Sequence, residues 1–152
     1  MIMVPPACLA RLPRDGRLNN IGNVQMQVGQ YADAVQSFKR ASRLSASFSF
    51  AQTNLAMALY LDGQKQEALR TFRNVLRKYP YFDDAHAAFA AALWREGDFR
   101  TAEEEFFIRN EDARYRDVDW LRSYRRWAPP FVEGARALVE IRRSDPTGEQ
   151  SG

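Results

Sequence analysis

The chain predicts an all-α solenoid of helical hairpins, and three columns of residues carry that prediction. Gly29, Gly63 and Gly97 stand 34 residues apart. Ala34, Ala68 and Ala102 follow each glycine by five residues, and Phe38, Phe72 and Phe106 follow by nine. Three columns in phase over three copies do not arise by chance. A fixed period of this length marks stacked helix pairs, which usually bind other proteins and do no chemistry themselves.

Setting the glycines in register divides the middle of the chain into copies at 15–48, 49–82 and 83–116. Each copy has an apolar helical pattern before its glycine (helix A) and another after it (helix B). In the second copy Phe50, Asn54, Leu55, Ala58, Leu59 and Tyr60 belong to helix A. Gly63 ends that helix, because glycine tolerates the left-handed geometry of a helix stop. Ala68, Leu69, Phe72, Val75 and Leu76 give helix B its apolar stripe. Pro80 blocks continuation, and Asp83 and Asp84 are placed to cap the next helix and to favour its dipole. Gly22, Ala56 and Ala90 keep mid helix A thin enough for helix B to approach; Ala34, Ala68 and Ala102 do the same from helix B. The phenylalanine column fills the space between hairpins, so that stacking buries one continuous core.

These columns resemble the tetratricopeptide repeat over about residues 15–110, as do the turns Gly29-Gln30-Tyr31 and Gly97-Asp98-Phe99. Departures are local. Ala46 replaces the usual end-of-repeat proline, Lys65 the turn aromatic, and Arg109 the small late residue of the third copy. The third repeat is therefore expected to be distorted near its end. The stretch from Ala58 to Gly97, followed by ARYRDVDWLRSYRRWAPPF, also looks like the C-terminal part of a cyanobacterial and plastid tetratricopeptide family. That family ends in a short Trp-containing helix, an Arg-Arg-Trp-Pro-Pro element and a last helix. Here the element reads Arg125-Arg126-Trp127-Ala128-Pro129-Pro130, with one alanine inserted. The resemblance implies a cyanobacterial cytoplasm or a chloroplast stroma, against thylakoid-associated complexes, and longer arrays upstream.

A repeat array needs a cap over its last apolar face. Residues 117–127 read as a short helix carrying Trp120, Leu121, Tyr124 and Trp127. A final helix runs to about Arg143, with Phe131, Ala135, Leu138 and Val139 on one face. Together, residues 117–143 form a two-helix cap. Residues 1–14 and 144–152 read as a flexible start and a disordered polar tail.

Composition narrows the function classes. The net charge is +3, spread unevenly and without a block of one sign. Lys39, Lys65 and Lys78 are the only lysines among 22 basic residues; the rest are arginines, which suit ion-pair networks and interfaces. One cysteine, Cys8, excludes an internal disulfide and a cysteine-cluster metal site. No apolar run reaches the length of a membrane span, and Pro5 and Pro6 spoil a secretory signal.

In such an array the A helices line a concave groove. The expected groove residues are Asn19, Asn23, Met26 and Gln27, then Phe50, Thr53, Asn54, Met57, Tyr60 and Leu61, then Ala87, Ala91, Trp94 and Arg95. Met26, Tyr60 and Trp94 share one repeat position. They form either a ladder in the groove or packing between neighbouring A helices. Asn23 and Asn54 are placed to hydrogen-bond an extended peptide. A second candidate surface combines Trp120, Arg122, Arg125, Arg126 and Trp127.

Partner classes follow from these residues. The expected function is protein–protein interaction, as an adaptor or assembly factor. Some tetratricopeptide co-chaperones clamp an acidic chaperone tail with Lys, Asn, Asn, Lys and Arg. Asn23 and Asn54 match the two asparagines, but Asn19, Asp84 and Ala88 stand where the cations belong. Asp84 would repel a carboxylate, so no such clamp is expected. Helical repeats also read RNA, and the terminal arginines with Trp120, Tyr124 and Trp127 offer a stacking and phosphate surface. Against that, residues 49–108 are net acidic. Catalysis finds no support: His86, the only histidine, stands at an early helix-A position where the resembled family places a packing residue, and Glu103, Glu104 and Glu105 point to different sides of a helix. No catalytic residue, cofactor site or metal site is expected.

Overall fold

A computed structural model describes residues 14–45 and 49–144. Cys8, the segment before residue 14 and the tail beyond 144 lie outside the described residues. The hairpins are α1 (Arg14–Gln27) with α2 (Tyr31–Leu44), α3 (Ser49–Leu61) with α4 (Lys65–Lys78), and α5 (Asp83–Glu96) with α6 (Phe99–Glu103). Helix α6 continues into a π-helical stretch, Glu104–Arg109. A 3-10 turn (Ala113–Arg116), α7 (Val118–Ser123) and α8 (Pro129–Ser144) follow. All regular structure among the described residues is helical, as the period predicts.

The three glycines work alike. Gly29, Gly63 and Gly97 have φ of +79°, +85° and +85°. Each turn carries the same wide backbone bond: Gln30 N–H to the Gln25 carbonyl, Gln64 to Leu59, and Asp98 to Leu93, at 2.9, 2.9 and 3.0 Å. This left-handed stop satisfies carbonyls that a helix end otherwise leaves orphaned. The alanine column is fully buried, and Phe38, Phe72 and Phe106 are buried beside it. A Cβ added at Gly22 would lie 2.6 Å from the Phe38 ring.

The third hairpin departs where its column breaks. Ala41 and Val75 are buried at the position that Arg109 occupies in the third copy. A guanidinium does not belong in that core. The helix widens to a π turn, and Arg109 lies exposed, bonded to Glu104 at 3.0 Å. Such widened turns are rare and local.

Two expectations need correction. Asp83 and Asp84 do not cap α5 with their side chains. Asp83 accepts from the Glu111 N–H at 2.8 Å, and Asp84 is drawn into a buried ion pair described below. Both still sit in the first turn, where a negative charge is favoured. The short helix ends at Ser123 rather than running to Trp127. Arg126 then takes a left-handed φ of 53° and turns the chain. Ala128, the inserted residue, is buried, and its carbonyl accepts from Phe131 and Val132 to start α8. Pro129 and Pro130 fit the first turn, where no N–H is required.

Candidate functional site

The A helices α1, α3 and α5 place the expected groove residues on one face, and the chain's own C-terminal segment covers much of it. Helix α8 packs along α5. Its Phe131 ring meets Tyr60 of α3 at 5.7 Å and Phe72 of α4 at 6.5 Å. Trp127 joins Phe131 at 6.4 Å and Tyr115 at 6.1 Å. Gly134 lies so close to α5 that a Cβ there would be 3.0 Å from the Ala91 carbonyl oxygen. The alanines of α5 make this approach possible: Ala85, Ala87, Ala88, Ala90, Ala91 and Ala92 are all fully buried.

Met26, Thr53, Asn54, Met57, Tyr60, Ala87 and Ala91 are packed interior and not an open groove wall, and Asn19 is nearly closed off. The cap seats on Tyr60 and Ala91, and the neighbouring A helices α1, α3 and α5 also pack on one another. The ladder splits. Met26 and Tyr60 are core, while Trp94 is half-buried at the rim against Phe99, centroids 4.4 Å apart. Arg95 is exposed. The asparagines are also spent internally: the Asn54 amide donates to Asn19 at 3.0 Å and to Asn23 at 3.2 Å. Gln27 holds the connector, donating to the carbonyls of Arg126 (2.5 Å) and Trp127 (3.2 Å).

The strongest polar feature is the Asp84 carboxylate. It has no exposed surface, and Arg125 grips it with Nε to Oδ1 at 2.7 Å and Nη2 to Oδ2 at 2.8 Å. Tyr115 adds its hydroxyl to Oδ1 at 3.0 Å. Arg125 also lies over the Phe50 ring, 4.9 Å from its centroid. Burial opposes the Arg125 charge, but Asp84 outweighs it and holds the guanidinium above its ordinary pKa. Burial and the Asp84 charge push the Tyr115 hydroxyl upward as well. At the other rim burial, then Glu96, raises Tyr60 to about 12; its hydroxyl donates to Glu96 at 2.5 Å.

The second candidate surface is divided in the same way. Arg125 and Trp127 turn inward. Trp120 is half-buried and stacks on Tyr124, centroids 5.5 Å apart and planes 19° apart. Tyr124 is 74% exposed. Arg122 and Arg126 are exposed, and Arg114 lies over the Trp120 ring at 5.3 Å. Nothing in the repeat spacing marks Tyr115, Gln27 or Glu105 as partners of Asp84, the connector and His86. These contacts join segments with no common register.

Among the described residues no group of three His, Cys, Asp or Glu is placed to hold a metal ion. None of their helices is long and apolar enough to cross a membrane.

A stack of helical hairpins closed by its own C-terminal helices belongs to the solenoid class of interaction scaffolds. Residues 18–48 match the family model described as Tetratricopeptide repeat. The TPR repeat-containing thioredoxin TTL4 of Arabidopsis thaliana is 25% identical over 114 residues, 75% of this chain. The chain spans 17% of that relative's length. Among solved structures, the Sgt2 TPR domain from Aspergillus fumigatus superposes with a TM-score of 0.60 at 16% identity, covering 93% of this chain and 87% of that one. MamA superposes at 0.54 and 18% identity, covering 92% and 85%. Repeat match, relative and fold agree on a tetratricopeptide-repeat architecture.

Proposed function

We propose that the chain is a protein–protein interaction module, an adaptor or assembly factor, that meets its partner on the aromatic and arginine ridge of its cap. The observation that carries this reading is the exposed Tyr124 stacked on Trp120 beside Arg122 and Arg126. Tyrosine, tryptophan and arginine are the residue types that dominate binding energy at protein interfaces.

The groove is the weaker site on energetic grounds. A partner entering it must displace Trp127, Phe131, Val132 and Leu138, all buried. At roughly 1.5–3 kcal/mol each, their burial stabilises the cap by about 6–12 kcal/mol. That is comparable to the whole stability of a typical domain, roughly 5–15 kcal/mol.

Electrostatics favour a protein over RNA at the ridge. Arg114 is held by Asp112 at 2.6 Å and Arg122 by Asp119 at 3.2 Å. Arg125 is consumed by Asp84. Nucleic-acid affinity rests on arginines free to neutralise phosphates. The compartment implied by the Trp120–Pro130 resemblance, a cyanobacterial cytoplasm or a chloroplast stroma, is part of the same proposal.

Affinity purification from the native cell, with wild type beside Tyr124→Ala/Arg126→Ala, tests the reading. The double variant should keep its circular dichroism spectrum and lose specific co-purifying proteins. An unchanged partner set would end the ridge reading. Tight RNA binding that collapses at high salt in a filter assay would replace it with the nucleic-acid alternative.

A further inference from the structure

The three A helices are equivalent by sequence and unequal in cover. In α3, two matching repeat positions hold Leu55 and Ala58, and α2 lies against that helix. In α5, Phe89 and Ala92 occupy the same positions; Phe72 of α4 meets Phe89 at 5.6 Å, and Arg73 lies over its ring. Leu55 is half-buried, and Ala58, Phe89 and Ala92 are buried. The same positions in α1 are Ile21 and Val24, which are 49% and 59% exposed. Leu18 and Val28 extend the stripe at helical spacing. Beside it an open cleft of about 480 Å³ is lined by Arg17, Leu18, Ile21, Arg40, Arg43 and Leu44. Leu44 is 55% exposed. A stripe of this kind with a charged rim marks a binding surface.

We propose that this end face docks an amphipathic helix of another protein, one that carries acidic residues along its flanks. The repeat itself states the shape of the occupant. At both equivalent positions the covering element is a B helix laid along the A helix, so a helix fits here in the same way. The rim states its charge. Arg17, Arg40 and Arg43 are exposed, and no carboxylate among the described side chains is bonded to them. Complementary charge selects a partner and speeds its approach.

The other occupants fit less well. A second copy meeting face to face would oppose these arginines with their own duplicates. A second copy meeting head to tail would offer the far end of the stack, where Arg116, Arg142 and Arg143 surround Phe107. Both arrangements bring like charges together. The chain before residue 14 falls short by sequence. Counted back one period from Lys39 and Arg40, in the middle of α2, stand Pro5 and Pro6. Two prolines there remove backbone donors that a B helix uses. That segment also holds Arg11 and no acidic residue.

The inference is independent of the cap ridge, because no residue is shared. Its test uses the full chain and two fluorescent synthetic peptides of roughly 18 residues, about five helical turns. Both carry leucine at i, i+3, i+4 and i+7, one with glutamate and one with lysine elsewhere. The glutamate peptide should bind, at least tenfold more tightly than the lysine peptide, and weaken as salt is raised. Ile21→Glu/Val24→Glu should abolish the anisotropy change with the melting temperature preserved, since both side chains are exposed. Arg40→Glu/Arg43→Glu should invert the preference between peptides, while Tyr124→Ala/Arg126→Ala should leave binding intact. No binding of the glutamate peptide, or equal binding of both, overturns the proposal. A Val24→Cys variant closes the alternatives under mild oxidation. A disulfide to Cys8 within one chain would show the chain's own start on the face, and a cross-linked dimer would show a second copy. Either would overturn the proposal; the expected result is neither.

Discussion

Arg125 and Asp84 are 41 positions apart and form a bidentate bridge between the repeat array and its cap, at 2.7 and 2.8 Å. Asp84 sits where related clamps carry a cation for an acidic ligand. Here the charge is reversed, and the ligand in place is an arginine of the same chain. The pair joins the first turn of α5 to the segment that precedes α8. It therefore sets where the cap seats as well as how strongly.

A buried pair is worth less than the cost of breaking it. Arg125→Met leaves Asp84 buried with only the Tyr115 hydroxyl, and should destabilise the chain by about 3–5 kcal/mol. Asp84→Leu combined with Arg125→Met removes both charges and should recover most of that loss. Urea denaturation of the single and double variants forms the cycle. If the double variant is no more stable than Arg125→Met, the carboxylate is not a stranded charge and this account of the bridge is mistaken.

Two glycines of α1 should respond in opposite ways to alanine. Gly16 has no heavy atom within 4 Å of an added Cβ, so Gly16→Ala gains helix propensity, about 1 kcal/mol. At Gly22 the Cβ would press on the buried Phe38 ring at 2.6 Å. Overpacking of this kind costs typically 1–3 kcal/mol, which outweighs the same propensity gain. Thermal melting of the two variants should therefore move in opposite directions, even though the next two copies carry alanine at the Gly22 position. A higher melting temperature for Gly22→Ala would show that Phe38 moves aside freely.

Tyr60 and Trp94 share a repeat position and should part company. Tyr60 is packed against Phe131 and bonded to Glu96, and Tyr60→Ala opens a cavity costing about 3–5 kcal/mol. Trp94 is only half-buried, so Trp94→Ala should cost clearly less. Equal losses in urea denaturation would place Trp94 in the core with Tyr60.

What could be read in advance divides along a physical line. Glycine turns, the alanine and phenylalanine columns and the break at Arg109 are local or periodic, and each copy repeats the argument of its neighbour. The cap was legible as two helices, because Trp120, Leu121, Phe131 and Leu138 have helical spacing. Its seat was not. Placing α8 on α5 depends on Gly134 meeting Ala91, on Arg125 meeting Asp84 and on Gln27 meeting the Arg126 carbonyl. Each of these joins distant segments outside the repeat register, and no column announces them. The alanine run of α5 was the available hint, since a face of alanines invites a close neighbour. The asparagines misled for a related reason: their spacing suits a peptide backbone, but Asn19, Asn23 and Asn54 satisfy one another first.

His86 supplies the last prediction, a pH dependence with a definite sign. The imidazole is buried, with Nδ1 at 2.5 Å from Glu105 Oε2 and Nε2 at 2.8 Å from the Pro80 carbonyl. Both nitrogens face acceptors, and only the imidazolium donates from both. Burial pulls the pKa down, but the Glu105 bond, the Pro80 carbonyl and the charges of Glu105 and Asp83 prevail, and it ends above the ordinary histidine value. A group whose folded pKa is raised contributes stability that is complete below its unfolded pKa and is lost as pH rises through the folded one. The loss therefore begins above about 6.5 and is finished once His86 is neutral in the fold. The urea midpoint of the wild type should fall across that window as pH is raised, and His86→Gln should remove this component of the fall. Coincident pH profiles for the two proteins would show that the ring is bound in its neutral form, with one nitrogen left facing an acceptor it cannot use.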